Sequence, residues 1–266
     1  MKIALISLSE EGARLLVRLA PHFPGAPIFL HETVQAGLPG NRFGQILLLI
    51  KKIFNEYRGL VLVMPTGVAV RAVAPLIKHK TKDPAVVVVD AGGRYAISLL
   101  SGHEGGANAL AVTVGNILGA EPVVTTTTEA LKSIIVGVGC RRGISAEKIL
   151  SAVGSALAEA GVQPEAIRWL ASADVKAGEA GLIEAARVLG VPLRLVDGEE
   201  IRLSVKPFSH SDFVQKKVNV PAVAEAAALL AGRRTRLILP KKIYGGVTVA
   251  LARENFLWSA SAPEDR

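Results

Sequence analysis

Runs of aliphatic and β-branched residues alternate along the chain with stretches whose apolar positions recur at helical spacing. KIALISL predicts a strand over 2–8, and Ser9 is placed to cap a helix opening at Glu10. APIFL predicts a second strand. In FGQILLLIKKIFNEY the apolar residues share a helical face, with Lys51, Lys52 and Glu56 on the wet side. GLVLVMP and AVVVVD are continuously apolar, as expected of strands buried on both faces. Between them, Thr66-Gly67 leads into the helix VAVRAVAPLI, with Thr66 as its cap. AGGRYAISLL predicts a tight turn into a further strand. SLLSGHEGGAN, a helix over 106–118 and EPVVTTTT follow, the threonine run reading as a strand end passing into a turn.

The cycle restarts at Ser133. SIIVGVG predicts a strand, CRRGIS a loop, and Ser145 the cap of a helix reaching about Ala160. AIRWLAS predicts a strand and EAGLIEAARVLG a helix closed by Gly190. PLRLV, the helix AVAEAAALLAG, RLILP and GVTVALAR complete the pattern. Strands alternating with helices predict an α/β fold of two domains, each a mainly parallel sheet flanked by helices. The boundary falls near Glu129–Lys132, giving domains 1–130 and 131–266.

Composition narrows the setting. A single cysteine, Cys140, excludes an internal disulfide framework and points to a reducing compartment. The N-terminus has too short an apolar run for a secretory signal, and no apolar stretch reaches the roughly 18–20 residues of a membrane span. These readings predict a cytoplasmic protein. The net charge of +8 is carried by scattered pairs (Lys51/Lys52, Arg141/Arg142, Lys216/Lys217, Arg233/Arg234, Lys241/Lys242), and aromatics are only 5%. Base-stacking platforms are therefore poorly supplied, and a small polyanion such as a polycarboxylate fits better than nucleic acid.

In open α/β sheets ligands bind beyond strand ends, where glycines admit a ligand and helix N-termini attract anions. Three segments suit that place. The first, PTGVAVR, offers Thr66, Gly67 and Arg71. The second, SGHEGGAN, offers Ser101, Gly102, His103, Glu104, Gly105, Gly106 and Asn108. His103 is the side chain suited to moving a proton at neutral pH. Glu104 can orient it or point into water, and a packing role for the glycines is the competing reading. The third, GVGCRRG, offers Gly139, Arg141 and Arg142 for carboxylates or phosphates. It nearly matches a dinucleotide fingerprint, but the last glycine of Gly137, Gly139 and Gly143 comes one place late. Asp174 after the next strand keeps a nucleotide-cofactor enzyme open as an alternative. Cys140 has no local histidine to activate it and reads as a small buried residue. His22, His31, His79 and His210 read as ordinary surface, and no spacing suggests a zinc site.

The segments MPTGVAVRAVAPLIKHKTKDPAVVVVDAGGRYAISLLSGHEGGANALA, VGVGCRRGISAEKI, LASADVKAGEAGLIEAARVLGVPL and AVAEAAALLAG, in this order, resemble the CbiG family, the cobalt-precorrin-5A hydrolases of anaerobic cobalamin biosynthesis. The resemblance implies a hydrolase acting on a carbon–carbon bond. It opens the δ-lactone of a cobalt macrocycle and releases acetaldehyde, giving cobalt-precorrin-5B. It further implies no cofactor of the protein's own, because cobalt arrives with the substrate. His103 would be the base and the N–H groups around 105–107 the oxyanion donors. The expected partner is the small-molecule cobalt corrinoid intermediate. Neighbouring pathway enzymes or a second copy of the chain stay open as partners; nucleic acid and membrane are not expected. The chain departs from the family in joining its halves almost directly, without a middle segment, and at Asn219 and Ala222, where glycine and serine are usual. The missing segment makes a non-catalytic corrinoid-binding or carrier protein the principal alternative.

Overall fold

The computed structural model describes residues 1–35, 37, 39–206 and 223–256. Asn219, Ala222, His210 and the pair Lys216/Lys217 lie outside the described residues. The chain divides into two compact units, Met1–Thr126 and Thr127–Arg266.

The first unit contains β1 (Ile3–Ser7), β2 (Ile28–His31), β3 (Asn41–Phe43), β4 (Gly59–Val63), β5 (Ala85–Val89), β6 (Tyr95–Leu100) and β7 (Glu121–Val123). They form one sheet in the order β3-β2-β1-β4-β5-β6-β7. Its helices are α1 (Glu10–Leu19), α2 (Ile46–Ile53), α3 (Thr66–Val73) and α4 (Ala107–Leu118). Successive strand residues point to opposite faces. Leu5, Val61, Val63 and Val87 therefore pack with Leu16, Leu19, Leu110 and Val114 of α1 and α4. Leu60, Leu62, Val86 and Val88 pack with Ile50, Ile53, Ala69 and Ala72 of α2 and α3. The unbroken apolar runs of β4 and β5 are what two covered faces require. As expected, Ser9 caps α1, its hydroxyl accepting the N–H of Gly12 at 3.2 Å.

One turn decides the geometry of this unit. Asp90 Oδ1 accepts the N–H groups of Arg94 and Tyr95, each at 2.8 Å, and Oδ2 that of Gly92 at 3.2 Å. Gly93 takes φ +67°. This Asx-type turn folds β6 back antiparallel to β5, whereas every other pairing in the sheet is parallel. β6 and β7 thus run against the other five strands. The segment after β6 emerges at the sheet edge where β1, β4 and β5 begin.

The second unit has β8 (Ile134–Cys140), β9 (Ile167–Ala173), β10 (Leu193–Val196), β11 (Thr235–Tyr244) and β12 (Val247–Glu254), in the order β10-β9-β8-β12-β11. Its helices are α5 (Thr127–Ala130), α6 (Ala146–Ala160), α7 (Ala180–Leu189), α8 (Gly198–Leu203) and α9 (Ala224–Leu230). α6 and α7 pack Val153, Leu157, Leu182 and Ala185 against Val136, Val138, Val249 and Leu251. α9 crosses β8 so closely that a Cβ on Gly137 would lie 1.9 Å from the Ala224 carbonyl oxygen.

The expected α/β class holds in both units, with the second sheet less parallel than expected. β8, β9 and β10 are parallel, but β12 is antiparallel to both β8 and β11, so this sheet is mixed. The cause is Gly245-Gly246, both at positive φ (+55° and +88°), which close a two-residue hairpin between β11 and β12. Two caps also differ. Thr66 is the first helical residue of α3, Pro65 holds the cap position, and no side chain caps the helix. Ser145 has extended backbone at the start of α6 but offers only its carbonyl, to Ile149 N–H. The sequence pattern did not indicate β3, which has three residues and little apolar content, or α8, which Asp197 caps.

Candidate functional site

The glycine loop between β6 and α4 is built on strain and close approach. Ser101 has φ +58°, unusual for a residue with a side chain. Its carbonyl accepts the N–H of Ala107 at 3.2 Å, and Gly102 O accepts that of Asn108 at 2.9 Å. A Cβ on Gly105 would sit 2.4 Å from Ser101 Cβ, and one on Gly102 2.8 Å from Asn108 Oδ1. Gly106 enters α4 at φ +86°. The packing and the functional readings of these glycines are thus compatible: tight closure of the loop is what leaves His103 at its outer surface.

His103 and Glu104 are both exposed. Among the described residues the His103 imidazole has no hydrogen-bond partner. Glu104 makes no hydrogen bond to it among the described residues. Glu104 Oε1 lies 2.5 Å from Lys80 Nζ, and this ammonium is the main cause holding the carboxyl below the usual range. Asn108, expected to bind substrate, is buried, and its amide is committed at both ends. Oδ1 accepts Ser98 O–H at 2.8 Å and Nδ2 donates to Thr126 Oγ1 at 2.9 Å. It braces the loop against β6 and the threonine run. Ser101 Oγ is buried without a partner among the described residues. Of the expected oxyanion donors, Ala107 N–H is consumed within the loop, leaving those of Gly105 and Gly106.

The turn at Asp90 has placed this loop beside residues that sequence order concealed. The segment entering β5 supplies Lys80 and also Asp83, whose buried carboxylate accepts the N–H groups of Lys78 and His79. A cavity of about 660 Å³ opens on the same edge, bounded in part by Ile3, His22, Phe23, Gly106, Ala109 and Thr113. Thr66, Gly67 and Arg71 follow the other end of β4. That strand has five residues, so at a rise of roughly 3.3 Å each the two edges stand about 16 Å apart. Arg71 instead donates to Gly67 O of its own helix at 3.1 Å. The structure does not bring the first and second sequence segments together.

In the second unit, the third segment stands at the carboxyl edge of β8. Gly137 and Gly139 lie inside the strand rather than in a turn after it. Gly137 serves the approach of α9, and Asp174 is exposed and accepts the N–H of Val175 at 2.7 Å. A dinucleotide site needs its glycines at the strand-to-helix turn, so the near-match carries no nucleotide fingerprint. Arg141 and Arg142 are exposed at the loop tip. Gly143, at φ +74°, donates its N–H to Glu179 Oε2 at 3.0 Å. Cys140 is half-buried, and burial pushes its thiol pKa up, against a role as nucleophile. Among the described residues no group of three or more His, Cys, Asp or Glu side chains could hold a metal ion, and no helix is long and apolar enough to cross a membrane.

The chain is thus a two-unit α/β protein with an exposed histidine on a glycine loop in one unit and an exposed arginine pair after a strand end in the other. Residues 48–129 match the family described as cobalamin synthesis G, N-terminal, and residues 134–252 match cobalamin synthesis G, C-terminus. The chain belongs to the cobalamin synthesis G (CbiG) family. It is 27% identical to the cobalt-precorrin-5A hydrolase of Salmonella typhimurium, over 86% of this chain and 91% of that one. It is 24% identical to the cobalt-precorrin-5A hydrolase of Priestia megaterium, over 94% of each. Protein CobE of a Sinorhizobium species is 35% identical over 47% of this chain and 83% of its own length. The Salmonella alignment spans 321 positions against a chain of 266 residues, so at least 55 of its positions face no residue here. The two family matches are separated only by residues 130–133, in accord with the absence of a middle segment.

Proposed function

We propose that this protein is a cobalt-precorrin-5A hydrolase of cobalamin biosynthesis, with the glycine loop of the first unit as its catalytic centre. The observation that carries the assignment of the centre is His103, an imidazole without a hydrogen-bond partner among the described residues, on a loop whose Gly105 and Gly106 N–H groups are unspent. Lactone hydrolysis needs a base to take a proton from water and donors for the carbonyl oxygen as it becomes anionic. His103 takes the proton as water attacks the lactone carbonyl, and the Gly105 and Gly106 N–H groups receive the oxyanion. The acyl C–O bond breaks, leaving a carboxylate and an alkoxide. The alkoxide closes to the carbonyl of acetaldehyde as its adjacent C–C bond breaks. The macrocycle carbon keeps that electron pair and takes up a proton. One water is consumed and one acetaldehyde leaves.

Cobalt belongs to the substrate, and the protein's residues manage protons and carboxylates. Arg141 and Arg142 bind the acetate and propionate arms. We place the protein in the cytoplasm, a reading supported by its single cysteine. The deciding experiment incubates the protein with cobalt-precorrin-5A and measures acetaldehyde. Stoichiometric release with conversion to cobalt-precorrin-5B is expected. Tight corrinoid binding without acetaldehyde would instead establish a carrier.

A further inference from the structure

The arginine pair sits on a loop whose hold comes from outside it. Glu179, at the start of α7, is 36 residues beyond Gly143 in sequence, and its carboxylate is buried. Oε2 accepts the N–H of Gly143, immediately after Arg142, at 3.0 Å, while Oε1 lies 3.6 Å from Lys176 Nζ. The Lys176 side chain is itself 12% exposed, so the pair is largely shielded from water. Two residues on, Gly181 presses so close to the loop that a Cβ there would meet the Ile144 carbonyl oxygen at 2.0 Å. The start of α7 therefore grips this loop at two consecutive backbone positions beyond the arginines. A buried carboxylate is expensive to keep unless it is paired and hydrogen-bonded. This one spends an oxygen on an exposed loop's N–H and not on its own helix terminus, where no side chain caps α7.

We infer that Glu179 is a positioning residue for substrate binding: by holding Gly143 it fixes Arg141 and Arg142 in the geometry that receives the carboxylate arms of the macrocycle. The inference rests on the proposed role of those two arginines. A preorganised pair binds without first losing loop freedom, and that advantage disappears when the loop is released. Because Glu179 does not touch the reacting atoms, its loss acts on KM and leaves kcat alone.

Five proteins are compared in the acetaldehyde assay: wild type, Glu179→Ala, Glu179→Gln, the double variant Arg141→Ala/Arg142→Ala, and that double variant with Glu179→Ala added. Amide hydrogen exchange across 141–145 is followed in parallel. Glu179→Gln keeps a carbonyl oxygen for the Gly143 N–H and guards against misfolding of the alanine variant. Expected are a KM about tenfold higher in Glu179→Ala with kcat within about twofold, faster exchange in the loop, and near wild-type values in Glu179→Gln. Added to the double arginine variant, Glu179→Ala should raise KM no further, because residues acting as a unit are not additive. A raised KM in the arginine variant with an unchanged KM in Glu179→Ala overturns the positioning role alone. An unchanged KM in the arginine variant overturns the reading beneath it as well. Equal effects of Ala and Gln, or a fall in kcat at constant KM, also overturn it.

Discussion

His103 and Asn108 lie five positions apart, one on the glycine loop and the other in the first turn of α4, and do opposite work. The imidazole is exposed and has no hydrogen-bond partner among the described residues, while the Asn108 amide is buried between two hydroxyls. His103→Gln should therefore keep the thermal midpoint and corrinoid binding but lower acetaldehyde release by about 10²-fold; equal turnover would remove His103 from the mechanism. Asn108→Ala should do the reverse in kind. It strands the Ser98 and Thr126 hydroxyls, so a loss of about 1–3 kcal/mol is expected in a denaturant titration, with activity falling because the loop loses its brace. Nothing in the sequence separates these two polar residues. Both sit among small residues, and the distinction comes from Thr126, which lies beyond α4.

At the scale of elements, the β5–β6 hairpin depends on one carboxylate. Partial burial pushes the Asp90 carboxyl up, but the N–H groups of Tyr95 and Arg94 and the Arg94 guanidinium outweigh it, so its pKa lies below the ordinary value. Above about pH 4 folded and unfolded chains both carry the charge and the stabilisation is complete. As pH falls the unfolded chain takes the proton first, and the contribution is lost on passing through the folded-state pKa. Asp90→Asn should thus be less stable at neutral pH by about 1 kcal/mol. It should also lose less stability than wild type between pH 5 and pH 2, as read by thermal midpoints across the acid range. The AGGR sequence made this turn legible. The β11–β12 hairpin, closed by Gly245-Gly246, was not read from the sequence, because the alternation of strands and helices elsewhere suggested another parallel strand. Gly137 was legible as a glycine of interest but not for its reason. Gly137→Ala should cost about 3 kcal/mol or more in a denaturant titration, by forcing α9 off β8.

For the molecule as a whole, charge and topology make separate predictions. A net charge of +8 and exposed arginines at a loop tip predict that corrinoid affinity falls as salt rises. An affinity indifferent to salt between about 0.05 and 0.5 M would make the charge incidental to binding. Topology predicts that Arg71→Ala leaves kcat and KM within about twofold of wild type. Arg71 stands at the edge of the first sheet opposite His103 and bonds its own helix. A tenfold effect there would require a ligand spanning both edges.

Periodicity alone determined the α/β class, the strands β1, β4, β5, β8 and β9, and the helices packed on them. Burial on two faces demands long apolar runs, and an amphipathic helix demands a stripe; both are local in sequence. The glycine loop and its histidine were also legible, since three glycines around an ionisable side chain are a local signal. Which residues share a site was not. The single antiparallel step at Asp90 sends the SGHEGGAN loop to the edge away from PTGVAVR and beside Lys80, Asp83 and the cavity at Ile3 and His22. Glu179 likewise meets the arginine loop only because β8 and β9 run parallel and deliver their following segments to one edge. Strand direction is set by pairing between segments far apart in the chain, so it belongs to the tertiary structure, and with it goes the membership of every site built at a sheet edge.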